Sequence, residues 1–183
     1  MDKIQIKTAF VAVFDKKSVD KLAVFFKYYK VNVLGTAGTV KYLKTKGVKA
    51  KSATWGFDFG GRVKSLERKN FAGILADSAK SKHLAELKKL KVPAIGGVVV
   101  DLYKLDPKNF PETMDIGGQA LIRAAIKNYK NVAVAFDAKS IEDLEWELKK
   151  NKGVTTLAFR QKQAARALKF IAQRTALESK LFR

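Results

Sequence analysis

The residue types best able to do chemistry are concentrated between Met114 and Asn128, where Asp115-Ile116-Gly117-Gly118 precedes apolar Ala120, Leu121, Ala124 and Ala125 at three- and four-residue spacing. The pattern predicts a loop entering a helix. Gly117 and Gly118 let backbone approach a ligand with no side chain in the way, and the N–H groups of a first helical turn can hold an anion. Asp115 stands just outside that end, and Lys127 and Asn128 stand at the other. Taken alone, the segment reads equally as an ordinary helix whose positive end is balanced by an acidic neighbour.

Two further stretches suit an anion. Gly35-Thr36-Ala37-Gly38-Thr39 offers small residues, backbone N–H groups and two hydroxyls at a strand-to-helix turn. It lacks the Gly-Lys-Ser or Gly-Lys-Thr close of a Walker sequence and is not a dinucleotide fingerprint, and such turns also carry glycine and threonine for geometry alone. Arg62 and Lys64, after the glycine pair Gly60-Gly61, can present a planar fork and a point charge to one anion, or stand as two surface cations.

The elements that must position these residues alternate. Thr8 to Phe14 is an apolar run of strand length, and Ser18 is a plausible N-cap for a helix with Val19, Leu22, Ala23, Phe26 and Tyr29 inward. Val31 to Leu34 resumes the strand pattern, Val40 and Leu43 begin a short helix closed by Gly47, and Val48 to Ser52 reads as an edge strand. Residues 53–66 form a long unpatterned loop rich in glycine and aromatic residues. Ser81 to Lys91 is a helix with Leu84, Leu87 and Leu90 inward, and His83 on it reads as structural or exposed. Ile95 to Val100 is the most apolar strand, expected at the centre, and ends in Asp101-Leu102-Tyr103, where ligands of open parallel sheets sit. Val132 to Phe136 is a further strand, Ser140 caps a helix to about Lys150, and residues 155–183 read as one long helix, apolar at Ala158, Ala165, Leu168, Ile171 and Ala172. This is the grammar of an α/β domain: a parallel sheet flanked by helices on both faces, with a C-terminal helical extension that packs on the domain or meets a second subunit to give a homodimer.

At 183 residues the chain fits a single domain. Without cysteine it has no disulfide framework and no thiolate metal site, and one histidine makes a zinc centre improbable. No apolar run approaches the roughly 18 residues needed to span a bilayer, which points to a soluble cytoplasmic protein with no membrane partner. A formal charge of +20 concentrates phosphorylated ligands and also attracts nucleic acid. The lysines are spread through nearly every segment and are not interleaved with aromatic residues, which argues against a nucleic-acid platform.

Four stretches now line up in order: Gly35 to Thr39; Gly60-Gly-Arg-Val-Lys-Ser-Leu66 followed by Ala72-Gly-Ile-Leu75; Asp101-Leu-Tyr103; and Asp115-Ile-Gly-Gly118 through Arg123-Ala-Ala-Ile-Lys-Asn128. Together they resemble inosine monophosphate cyclohydrolase, the amino-terminal half of the bifunctional enzyme that ends de novo purine synthesis. The resemblance implies a methylglyoxal-synthase-like fold and ring closure of 5-formamidoimidazole-4-carboxamide ribonucleotide to inosine monophosphate without a cofactor. It implies Lys64, Tyr103, Asp115 and Lys127 at the reacting end, Lys16, Thr36, Gly38, Thr39 and Arg62 at the phosphate, and Asp101, Ile116 and Gly118 at the base, with Gly117 and Asn128 also at the substrate. The chain stops where the transformylase half would begin, so the expectation is a stand-alone cyclohydrolase or an excised domain, 1–183, whose substrate comes from a separate formyl-transferring enzyme.

In such a reaction a carboxamide nitrogen must lose a proton as it attacks, while the formyl oxygen gains charge and leaves as water. Asp115 or Tyr103 is the expected proton acceptor, Lys127 with backbone donors near Gly117 and Gly118 the oxyanion stabiliser, and Lys64 the orienting cation. A straight helix at about 1.5 Å per residue carries Lys127 well over about 10 Å from Asp115, so the two meet only if the loop folds back or the helix starts late. Three stretches depart from the family pattern. Ala12-Val-Phe-Asp-Lys16 stands for Ser-Val-Ser-Asp-Lys, Leu66-Glu-Arg68 for Leu-His-Pro, and Asp101 for asparagine. Competing expectations are methylglyoxal synthase, whose catalytic histidine has no counterpart here, a regulatory domain binding a phosphorylated nucleotide, and a nucleic-acid binder.

Overall fold

A computed structural model describes residues 2–54, 60, 62–63 and 65–182. Lys64, and with it residues 55–59 and 61 of the glycine-rich stretch, lies outside the described residues. In chain order the elements are β1 (Lys3–Gln5), β2 (Thr8–Ala12), α1 (Asp20–Tyr28), β3 (Asn32–Gly35), α2 (Ala37–Thr45), β4 (Ala50–Ser52), α3 (Arg68–Leu75) and α4 (Ser81–Leu90). There follow β5 (Gly97–Val100), α5 (Ile116–Lys127), β6 (Ala133–Ala135), α6 (Ala138–Lys150), β7 (Val154–Thr156) and α7 (Leu157–Lys180).

Five strands form one parallel sheet in the order β4-β3-β2-β5-β6. β2, apolar on both faces, is its centre and β5 lies beside it, so the most apolar run is interior without being central. Side chains alternate across the sheet, as the pleat requires. Val11, Val33 and Val99 join α1, α2 and α6 in one core, whereas Phe10, Val98, Val100 and Val134 join α3, α5 and α7 in the other. The expected α/β architecture with helices on both faces is therefore present. Residues 72–76 belong largely to α3, which begins at Arg68 after the long loop.

Local signals shift several boundaries. Asp15, not Ser18, caps the first turn: its carboxylate accepts from Lys17 N in a short 3-10 helix, and α1 starts only at Asp20. Asp137 caps α6 through a reciprocal pair with Ser140, which sits three residues inside. On α4 only Leu87 is buried while Leu84 and Leu90 are exposed, and His83 accepts a hydrogen bond from Asp77 N through Nδ1, a structural role. A two-stranded antiparallel pair, β1 with β7, closes the chain's amino end onto the turn before α7.

The last helix is no loose extension, because α7 packs on β6 and α5. Its buried face is Arg160, Gln163, Ala164, Ala167, Ile171 and Glu178, so of the five apolar residues expected inward only Ile171 is. Arg160 is fully buried and donates to the carbonyls of Tyr129, Lys130 and Thr155. Arg160→Met is expected to leave these carbonyls short of donors and to cost at least about 2 kcal/mol by urea unfolding, since each buried unsatisfied group costs roughly 1–3 kcal/mol; a loss below about 0.5 kcal/mol would contradict this role.

Candidate functional site

The strand order reverses between β2 and β5, and a cavity of about 760 Å³ opens there, at the carboxyl ends of β2, β3 and β5 and the amino end of α5. The volume lies within the range of small-molecule sites. Of the residues expected at the substrate, Lys16, Thr36, Gly38, Arg62, Asp101, Tyr103, Asp115, Ile116, Gly117 and Gly118 line it.

At one end α2 presents its first turn. Its N-cap residue Thr36 makes no side-chain cap bond, donating instead to Thr39 Oγ1 at 3.2 Å, so the amino end of the helix faces the cavity without a capping side chain. Lys16 reaches the same end, where Nζ donates to Val13 O and, at 3.2 Å, to Phe14 O. Thr39 is not a lining residue: it is fully buried, and its hydroxyl accepts from Val13 N at 3.2 Å and donates to Val13 O. It ties α2 to the end of β2 and sets the cradle from behind.

Asp101 does not present a free carboxylate to a ligand. Its two oxygens accept from Phe14 N and, at 3.1 Å, from Asp15 N, joining the two loops that diverge from β2 and β5. Burial raises its carboxyl above the ordinary range against the pull of those two N–H groups. Phe14 stands edge-on to Tyr103, ring centroids 5.8 Å apart, and both are largely exposed at the cavity wall.

Asp115 is the N-cap of α5. Oδ1 accepts from Gly118 N at 2.6 Å and Oδ2 from Tyr103 N at 3.5 Å, and the side chain is buried. A Cβ on Gly118 would stand 2.7 Å from Asp115 Oδ1 and from Leu102 Cδ2, and one on Gly117 would collide with Ser65 Oγ. The glycine pair is therefore needed to seat the carboxylate and Ser65. The protein's own carboxylate takes the Gly118 N–H, one of the donors expected at the α5 terminus for an anion or an oxyanion. Burial is the main cause that raises Asp115, opposed by the Gly118 and Tyr103 N–H groups and then by Arg174, with Glu178 adding to the rise.

Two expected residues are elsewhere. Lys127 ends α5, roughly 18 Å along a 12-residue helix from Asp115, and lines a second recess with Leu75, Arg123 and Leu168. The helix starts at Ile116 and runs straight through, so the fold-back that would join them does not occur. Asn128 donates to the carbonyls of Ile74 and Ala76 and accepts from Asn131, which fastens the end of α5 to the end of α3. Arg62 reaches the cavity mouth and pairs with Glu112. Sequence reasoning missed Glu112, Met114, Ser65 and Phe14 as lining residues; only the adjacency of Glu112 and Met114 to Asp115 signalled them. Among the described residues no group of three or more histidine or carboxylate side chains could hold a metal ion, and no helix is long and apolar enough to cross a membrane.

No protein-family model matches the chain. It is 35% identical to the bifunctional purine biosynthesis protein PurH of Rhizobium etli over 91% of this chain and 33% of the relative. It is 38% identical to PurH of Clostridium perfringens over 81% of this chain and 32% of the relative, and 34% identical to PurH of Rhizobium leguminosarum over 99% and 36%. The chain thus spans about a third of the curated relatives it matches, and the match fits their amino-terminal cyclohydrolase region. The crystal structure of ForH superposes with a TM-score of 0.84 at 28% identity, covering 97% of this chain and all of that one, and the fold is methylglyoxal-synthase-like.

Because Asp115 binds its proton more tightly in the folded chain than unfolded, the stability it contributes is full below the unfolded carboxylate value and is lost as pH rises through the folded one. Asparagine has no such charge. Asp115→Asn should therefore gain on the parent chain in urea unfolding as pH rises from the ordinary carboxylate value through the raised folded one; a difference that is constant with pH would contradict the burial-driven shift.

Proposed function

We propose, from the premise that this chain belongs with the amino-terminal cyclohydrolase region of the PurH proteins, that it closes 5-formamidoimidazole-4-carboxamide ribonucleotide to inosine monophosphate with loss of water. The observation that carries this reading is one cavity with an uncapped helix terminus and Lys16 at one end and a buried carboxylate beside Tyr103 at the other. The phosphate sits against the first turn of α2 and the Lys16 ammonium. The imidazole ring lies between Phe14 and Ile116, apolar walls that hold the formyl and carboxamide groups close.

The carboxamide nitrogen attacks the formyl carbon, forming the N–C bond as the carbonyl pair moves to oxygen. Asp115, whose burial strengthens it as a base, accepts the proton lost by that nitrogen. Tyr103 donates to the developing alkoxide. The C–O bond then breaks as Asp115 returns its proton to the leaving hydroxyl and the formamide nitrogen gives its proton to the Tyr103 oxygen, forming the C=N bond, so one oxygen and two hydrogens leave as water and both side chains are restored. Lys64, outside the described residues, has no assigned part in this scheme, and Lys127 lies outside the cavity. A separate formyl-transferring enzyme supplies the substrate.

One observation favours a second reading, a domain that binds the ribonucleotide without turning it over: Gly118 N–H is taken by Asp115, which leaves fewer backbone donors at the reacting end. Adding the formylated ribonucleotide and following the purine absorbance separates the two. Cyclisation is expected, with kcat lowered at least about hundredfold in Asp115→Asn; tight binding with no absorbance change would establish the second reading. Lys16→Met is expected to weaken inosine monophosphate by about tenfold in calorimetry while leaving inosine unaffected, since a charge-assisted bond is worth about 1.5–3 kcal/mol. Equal loss for both ligands would remove Lys16 from the phosphate.

A further inference from the structure

The mechanism makes no use of a buried ion pair on the last turns of α7. Arg174 and Glu178 stand four residues apart with side chains 11% and 5% exposed, and Arg174 Nε donates to Glu178 Oε1 at 2.9 Å. The guanidinium also donates through Nη2 to Thr113 O at 3.3 Å, and both Glu178 oxygens accept from Gln119 Nε2, at 3.0 and 3.2 Å. Thr113 precedes Asp115 by two residues and Gln119 follows it by four, so the pair grips the chain on either side of the cap. Farther along, Phe182 stands edge-on to Phe110, ring centroids 4.8 Å apart, on the same approach to Asp115.

A helix meant only to pack could use apolar side chains here, because a buried ion pair loses solvation that its own attraction offsets only with good geometry. What the pair adds is direction. A guanidinium fixed by one carboxylate aims its remaining N–H at a single carbonyl, and the carboxylate aims at a single amide. Both targets flank the residue whose placement the cavity depends on.

We infer that Arg174 and Glu178 are positioning residues, which hold the Thr113–Gln119 turn so that Asp115 faces the cavity at fixed depth. The inference rests on the reading of Asp115 as proton acceptor for its kinetic consequence, but not for its structural one. Misplacement of a reacting group by about 1 Å is enough to cost roughly a hundredfold in rate.

Two readouts test it together: steady-state cyclisation, and hydrogen exchange at the Gly118 amide that Asp115 holds. The double variant R174M/E178M replaces the pair with apolar side chains of similar volume, an exchange that buried ion pairs often tolerate in stability. It is expected to lower kcat at least about tenfold with KM within about twofold, and to speed Gly118 exchange at least about tenfold. Glu178→Gln, which keeps shape and loses charge, shows the same pattern more weakly and carries the test should the double variant not fold. Unchanged kcat and unchanged Gly118 protection in a folded variant would overturn the inference. If the parent chain does not cyclise the substrate, the functional reading fails, and the Gly118 exchange alone then decides whether the brace exists.

Discussion

Two carboxylates, one buried and one half-buried, hold the shape of the cavity by accepting from backbone amides. Asp101 takes the N–H groups of Phe14 and Asp15, and Asp115 takes those of Gly118 and Tyr103. The ladder between β2 and β5 ends at Ala12 and Val100, and beyond it the loops that leave the two strands diverge and need another join. Asp101 makes that join. Asp115 makes the second, tying the chain that leaves β5 to the start of α5. Both groups are buried enough that desolvation outweighs their hydrogen bonds, so each carries its charge at a cost. The surrounding excess of lysine and arginine favours that charge at long range.

The same arrangement explains a departure from the family pattern. Where the family has a serine before Asp15, this chain has Phe14, whose ring packs edge-on to Tyr103 and adds an apolar wall. A hydroxyl is lost at the end of the cavity proposed for the phosphate, where the uncapped first turn of α2 and Lys16 remain. With aspartate at 101 in place of asparagine, both side-chain oxygens can accept, and the two amides beneath them are both donors. The pairing suits a carboxylate better than an amide, whose nitrogen would face an N–H.

Much of the fold was legible because the signals were apolar runs. The apolar runs at 8–14, 31–34 and 95–100 hold the strands at 8–12, 32–35 and 97–100, and the edge position of β4 followed from the shortness and lysines of 48–52. What was not legible depended on side chains that break the apolar rule. The buried face of α7 holds Arg160, Gln163 and Glu178, so its true stripe was hidden behind a false one through Ala158, Ala165 and Leu168. The 3-10 turn before α1 and the first turn of α6 are capped by Asp15 and Asp137 rather than the nearby serines, because a carboxylate three residues ahead accepts equally well.

The site divided along the same line. Residues in loops at strand ends, Lys16, Thr36, Gly38, Asp101, Tyr103 and Asp115, gather because the topology brings those ends together. Thr39, Lys127 and Asn128 were grouped with them by motif, but helix geometry turns Thr39 inward from the same first turn of α2 and puts Lys127 and Asn128 at the far end of α5. The most direct measurement is a crystal structure of the chain soaked with inosine monophosphate. Phosphate density against the Ala37 and Gly38 amides and Lys16, with the base between Phe14 and Ile116 and its ring edge within hydrogen-bond reach of Asp115, is the expected result. Nucleotide bound at the Lys127 recess, or phosphate at the α5 terminus, would contradict it.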